Sequence, residues 1–111
     1  MKTIKADEVK QKIASNEDVI LINALGADSF RAKHIPGSIN IPAGKVEKIA
    51  EQILPDKNQE IIVYCSAPNC TASPSAAKKL LDLGYTNVSD FEAGLTGWLK
   101  EGFGLVRADA E

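Results

Sequence analysis

Long apolar runs are missing from this sequence. No segment approaches the ~20 consecutive apolar residues that cross a bilayer as a helix. The opening stretch MKTIKADEVKQKIASN mixes polar and apolar residues throughout and has no continuous apolar core of the kind a secretory leader carries. The expected location is therefore the cytoplasm. Excess positive charge is also missing: 13 Lys and Arg against 15 Asp and Glu give a net charge of -2, with the basic residues scattered along the chain. That pattern argues against nucleic acid and membrane surfaces as partners and favours small molecules or other proteins. Histidine occurs once and cysteine twice, too few for the four ligands of a structural zinc site. Repeats, low-complexity tracts and linkers are absent too. The 111 residues, 44% hydrophobic and 25% charged, have the profile of one domain spanning residues 1–111 around a single core.

Within that length two periodicities alternate. Ala6, Val9 and Ile13 recur at helical spacing behind an acidic first turn, Asp7 and Glu8, which suits the helix dipole. DVILIN, from Asp18 to Asn23, is a continuous apolar run of strand length, as expected for a strand covered on both faces of a parallel sheet. ADSFRAKH suits a short helix broken by Pro36 and Gly37, and SINIP a short extended piece. Val46, Ile49, Ala50, Ile53 and Leu54 mark an amphipathic helix that stops at Pro55. EIIVYC is a second buried strand, rich in β-branched residues, that runs straight into Cys65. A further helix is signalled by Ser73 as N-cap, Pro74 at the first helical position, apolar Ala76, Ala77, Leu80 and Leu81, and Gly84 as its stop. NVSDF reads as a last strand and GLTGWLKEG as a short helix. Strands alternating with helices in so short a chain predict a three-layer α/β fold with a mainly parallel sheet.

Both cysteines fall in VYCSAPNCTASPSAAKKL, five positions apart and with no charged residue before Lys78. In α/β folds ligands bind beyond the carboxyl ends of the strands, where loops lead into helix N-termini, and Cys65 falls at such a place. If the loop of Ser66, Ala67, Pro68, Asn69, Cys70, Thr71, Ala72 and Ser73 curls back, its amides and those of the next helix converge on the sulfur. Free amides and the positive end of a helix favour a thiolate, which is the nucleophilic form. The same residues also fit a cysteine that packs as a small hydrophobe.

The order LINA, HIPGSINIP, IIVYC with its loop and small-residue helix, GYTNV and EAGLTGW resembles the single-domain rhodanese family of sulfurtransferases over roughly residues 4 to 103. The resemblance implies a rhodanese-like fold with a five-stranded, mainly parallel sheet flanked by helices. It implies Cys65 as the catalytic cysteine, taking sulfane sulfur from a donor such as thiosulfate or a persulfide and passing it from a Cys65 persulfide to an acceptor. The acceptor would be a thiol, a cyanide-like nucleophile or a protein thiol. No metal or organic cofactor is required. His34, within HIPG, holds a turn in that family and is not expected to serve as a base.

This chain departs from the family pattern in ways that leave other functions open. Its loop is longer and lacks the usual arginine. Related phosphatases clamp phosphate with an arginine at the position of Thr71, so phosphatase chemistry is not expected. Asn23 and Leu25 stand where the family often has Asp and Arg, and altered bracing of the site is expected. Cys70 occupies a position that is often arginine, and as a resolving thiol it would attack an oxidised Cys65 to close a disulfide. As a small apolar residue it would merely pack. The competing functions are a thiol redox protein or sensor using a Cys65–Cys70 disulfide, and a non-enzymatic rhodanese-like binding module.

Overall fold

The structure is a computed structural model that describes residues 2–15 and 17–108. Five strands form one sheet: β1 (Lys2–Thr3), β2 (Val19–Asn23), β3 (Ile39–Asn40), β4 (Glu60–Tyr64) and β5 (Val88–Phe91). Their spatial order is β1-β5-β4-β2-β3, and every pairing is parallel. The helices are α1 (Ala6–Ala14), α2 (Ala27–Ala32), α3 (Val46–Ile53), α4 (Ala72–Asp82) and α5 (Gly94–Lys100). The edge strand β1, only two residues long, has no periodic signal in the sequence.

The apolar runs are explained by burial on both faces. Successive side chains of a strand point to opposite sides, so on β4 Ile61 and Val63 join one core while Ile62 and Tyr64 join the other. The first core is roofed by Val46 and Ala50 of α3 and by Ala76, Ala77 and Leu80 of α4. The second is closed by Ala6 and Val9 of α1 and by Leu95 and Trp98 of α5. Each large apolar side chain buried in this way stabilises the fold by about 1.5–3 kcal/mol. Trp98 packs edge-on to Phe91 at 6.4 Å and donates its Nε1 hydrogen to the Gly104 carbonyl at 2.9 Å. It therefore ties the segment after α5 back to the core. Val106 in turn exchanges backbone hydrogen bonds with His34, each 2.9 Å.

The chain leaves β2 outward to β3 but leaves β4 the other way to β5. Opposed exits from neighbouring strands open a crevice at their carboxyl ends. On the α1/α5 side this crevice is filled by a buried polar network centred on Tyr64. Its Oη accepts hydrogen bonds from Asn23 Nδ2 at 3.1 Å and from the Ile35 amide at 3.0 Å. The Ser38 hydroxyl lies 2.9 Å from Oη but donates to the Ile35 carbonyl at 2.7 Å. Ser38 has one hydroxyl proton, so the Tyr64 proton goes to Ser38. Burial pushes the Tyr64 phenol pKa up against the lowering effect of these bonds. Asn23 completes the brace, its Oδ1 accepting from the Leu25 amide at 2.9 Å. At the position where altered bracing is expected, a neutral amide holds a phenol.

His34 is fully buried, stacks on Phe30 with ring centroids 4.0 Å apart, and places Nδ1 2.8 Å from the Phe30 carbonyl. These contacts, with the Val106 pairing, place it between α2 and the segment that follows α5.

Replacing Tyr64 with Phe leaves the Asn23 amide and the Ile35 N–H buried without their acceptor. That loss is expected to cost about 1–3 kcal/mol. Urea unfolding of the variant measures it, and an unchanged midpoint would show that the network does not hold the crevice shut.

Candidate active site

Beyond β4 the chain enters the cysteine loop, and the helix after it begins earlier than the sequence pattern predicts. α4 starts at Ala72 with Thr71 as its N-cap, so Ser73 is the second helical residue and Pro74 the third. The expected Ser73 cap with Pro74 at the first position is therefore shifted by two residues. Thr71 accepts the helical hydrogen bond from the Ser75 amide at 3.1 Å. Pro74 is tolerated where it is because the first four amides of a helix have no intrahelical acceptor, so a missing N–H costs nothing there.

The shift gives Ser73 a different task. Its amide, one of the free amides of the first turn, donates to Cys65 Sγ at 3.4 Å, and its Oγ lies 3.3 Å from the same sulfur. Among the described residues, the Ser73 amide is the one found bonding Cys65 Sγ. Within the loop, the Cys70 amide instead closes a turn onto the Ala67 carbonyl at 3.0 Å. Cys65 and Cys70 are paired as a disulfide with Cα atoms 6.4 Å apart, inside the bridging range. Cys65 is only 1% exposed, Cys70 is half-buried, and Ser66, Pro68 and Asn69 are exposed around them.

The far wall of the site explains the EAGLTGW motif. The Leu95 amide donates to the Cys65 carbonyl and the Thr96 amide to the Ser66 carbonyl, each at 3.0 Å, so the start of α5 clamps the start of the loop. Gly94 makes this approach possible. It adopts φ +59°, and a Cβ there would overlap the Cys65 carbonyl oxygen and lie 3.0 Å from the Cys65 and Ser66 carbonyl carbons. Only glycine combines that backbone conformation with that clearance.

A cavity of about 330 Å³ opens beside the bridge, lined by Thr3, Cys70, Ser73, Pro74, Asp90 and Glu92 among others. Asp90 was not singled out by the sequence reading. It sits on β5 opposite Val63 of β4 and is 4% exposed. Burial raises its carboxyl pKa; a hydrogen bond from Ser73 lowers it and the charge of Glu92 raises it further. An acidic residue in a strand that should be apolar on both faces is the signal that points to it. Among the described residues no three His, Cys, Asp or Glu side chains are grouped so as to hold a metal ion.

The rhodanese-like domain family matches residues 5–101, on a sheet with a cysteine at the end of its central strand. The chain belongs to the rhodanese-like family. Rhodanese-like relatives include the putative sulfur carrier protein YrkF of Bacillus subtilis, 30% identical over 86% of this chain and 49% of that protein. Another is the thiosulfate sulfurtransferase PspE of Escherichia coli, 35% identical over 57% of this chain and 59% of that protein. The chain thus spans less than two thirds of the length of these curated relatives. A crystal structure of a Bacillus halodurans protein superposes with a TM-score of 0.88 at 27% identity, covering 96% of this chain and 77% of the other. The five-stranded parallel α/β sheet expected from the resemblance is the one observed. No helix among the described residues is long and apolar enough to cross a membrane.

The pKa of Asp90 is raised by folding, so its contribution to stability is fully present below the unfolded carboxylate pKa. It is lost as pH rises through the folded value. Asp90→Asn is therefore expected to stabilise the fold at pH 7.5 more than at pH 4.5. Urea midpoints at the two pH values measure this, and a gain that shrinks as pH rises would contradict the burial argument.

Proposed function

We propose that this chain is a sulfurtransferase in which Cys65 carries sulfane sulfur as a persulfide and Cys70 discharges it. The observation that carries this reading is the placement of Cys65 Sγ, which ends the central strand, accepts the Ser73 amide at the N-terminus of α4 and lies within bonding reach of Cys70. Reduced Cys65, held there as a thiolate, attacks the outer sulfur of a persulfide donor, and the donor thiolate leaves. A Cys65 persulfide remains, and an external thiol, a cyanide-like nucleophile or a protein thiol can take its outer sulfur. Alternatively Cys70 attacks Cys65 Sγ, the outer sulfur departs as hydrosulfide, and the disulfide closes. Neither step calls for a metal or an organic cofactor.

The acidic lining supplied by Asp90 and Glu92 bears on the donor. Thiosulfate is a dianion, and like charges facing it across a partly desolvated cavity weaken its binding. A neutral or cationic persulfide is therefore the favoured donor class. Ser66, Ala67, Pro68, Asn69, Cys70, Thr71, Ala72 and Ser73 form the proposed active-site loop, in which the Ser73 amide reaches the sulfur. We further assign the protein to a reducing compartment, the cytoplasm.

The bridge itself favours a second reading, a thiol redox protein that cycles Cys65 and Cys70. Intact-mass measurement of the reduced wild type, Cys65→Ser and Cys70→Ser proteins after exposure to a persulfide donor separates the two. Sulfur transfer predicts one added sulfur that persists on Cys70→Ser, none on Cys65→Ser, and conversion of wild type to the disulfide. A persistent adduct on Cys65→Ser would refute Cys65 as the sulfur-bearing residue. Disulfide formation with peroxide but no sulfur adduct on Cys70→Ser would instead support the redox reading.

A further inference from the structure

The two sulfurs of the bridge are not equally reachable. Cys65 is 1% exposed and its Sγ is covered by Ser73, whose amide and Oγ lie 3.4 and 3.3 Å away. Cys70 is half-buried and borders the cavity of about 330 Å³. A nucleophile arriving through that cavity meets the sulfur of Cys70. The leaving group favours the same direction, because the sulfur that departs is then Cys65, where the Ser73 amide and the first turn of an 11-residue helix favour the thiolate.

The lining of the cavity indicates what kind of nucleophile fits. Asp90 and Glu92 contribute carboxylates, Thr3 and Ser73 contribute hydroxyls, and among the described residues no lysine or arginine lines it. Lys5 borders an adjoining hollow that it shares with Glu92. Asp90 is 4% exposed, yet its Oδ1 has no hydrogen-bond partner among the described residues. A buried carboxylate oxygen without a partner is costly, and the carboxylate it belongs to lines the cavity, where a cation would offset its charge.

We propose that this cavity binds a small aminothiol, with its ammonium group on Asp90 and Glu92, and that its thiolate opens the Cys65–Cys70 bridge by attacking Sγ of Cys70. The bond between the incoming sulfur and Cys70 forms as the Cys65–Cys70 bond breaks, and the electron pair leaves on Cys65. A second aminothiol then attacks the small-molecule sulfur of the mixed disulfide and frees Cys70 as a thiolate. Two aminothiols are oxidised to their disulfide, and the bridge gains two electrons. The inference rests on the proposed function only in taking Cys70 as the thiol that closes the bridge. Sulfur loading on Cys65 is read separately in Cys70→Ser, which has no bridge, so failure of one is distinguishable from failure of the other.

The test compares cysteamine, 2-mercaptoethanol and 3-mercaptopropionate as reductants of the oxidised protein. Each rate is expressed per thiolate and divided by the rate of the same thiol with dimethyl disulfide, a small neutral reference. Cysteamine is expected to exceed mercaptopropionate by at least about fivefold. Glu92→Gln should reduce that ratio and Asp90→Asn should reduce it further; Glu92 is exposed, so its variant remains informative if Asp90→Asn fails to fold. Acid quenching, alkylation and fragment-ion mapping should place the cysteamine adduct on Cys70 and the alkyl group on Cys65. An adduct on Cys65, wild-type rates with no charge preference, or a preference undiminished in folded carboxylate variants would each overturn the proposal.

Discussion

The hydrogen bond from the Ser73 amide to Cys65 Sγ, 3.4 Å long, is the interaction on which the rest of the site depends. It exists because β4 delivers Cys65 to the end of the central strand while α4 begins at Ala72, leaving the amide of its second residue free. A helix N-terminus contributes about 0.3–1 kcal/mol to a nearby anion at an exposed site, and up to ~2 kcal/mol where the geometry is partly buried. Cys65 is buried. The loop is fixed at its other end by the start of α5, where Leu95 and Thr96 hold the carbonyls of Cys65 and Ser66. One sulfur is therefore positioned by two helices on opposite sides of the sheet.

Charge is distributed around this centre in an unusual way for an anion-handling loop. The loop itself carries no side-chain charge, and among the described residues the charged groups that line the cavity next to it are acidic. The positive electrostatics come from backbone amides and the helix end, which act over short range on the sulfur itself. The negative electrostatics come from Asp90 and Glu92, which face whatever enters the cavity. Under the proposed function, this separation would stabilise an anionic Cys65 sulfur while selecting against anionic small molecules.

Much of this was legible in the sequence, and the reasons differ by element. The runs VILIN and EIIVY announce strands buried on both faces, because only such strands dispense with polar alternation. Helix periodicity located the helices, and the ordered motifs named the family. The start of α4 was misplaced because Ser73 and Pro74 suit several positions of a first turn, and only the tertiary role of Ser73 chooses among them. The phenol network was hidden for a different reason. Asn23, Ser38 and Tyr64 lie in separate segments of the chain, and their meeting depends on strand register, in which Asn23 stands opposite Tyr64. Asp90 showed only as an acid in the short strand VSDF, with nothing local to reveal the cavity it lines.

The N-terminus of α4 is held to keep Cys65 in its nucleophilic form, and the rate of alkylation of Cys65 in a reduced Cys70→Ser protein tests this most directly. With iodoacetamide at pH 6, Cys65 should react at least about tenfold faster than free cysteine, because a larger share of it is thiolate. The comparison must be made on native protein, with a urea-unfolded sample as the internal control, since unfolding removes the helix end. A native Cys65 that reacts no faster than the unfolded one would contradict the account.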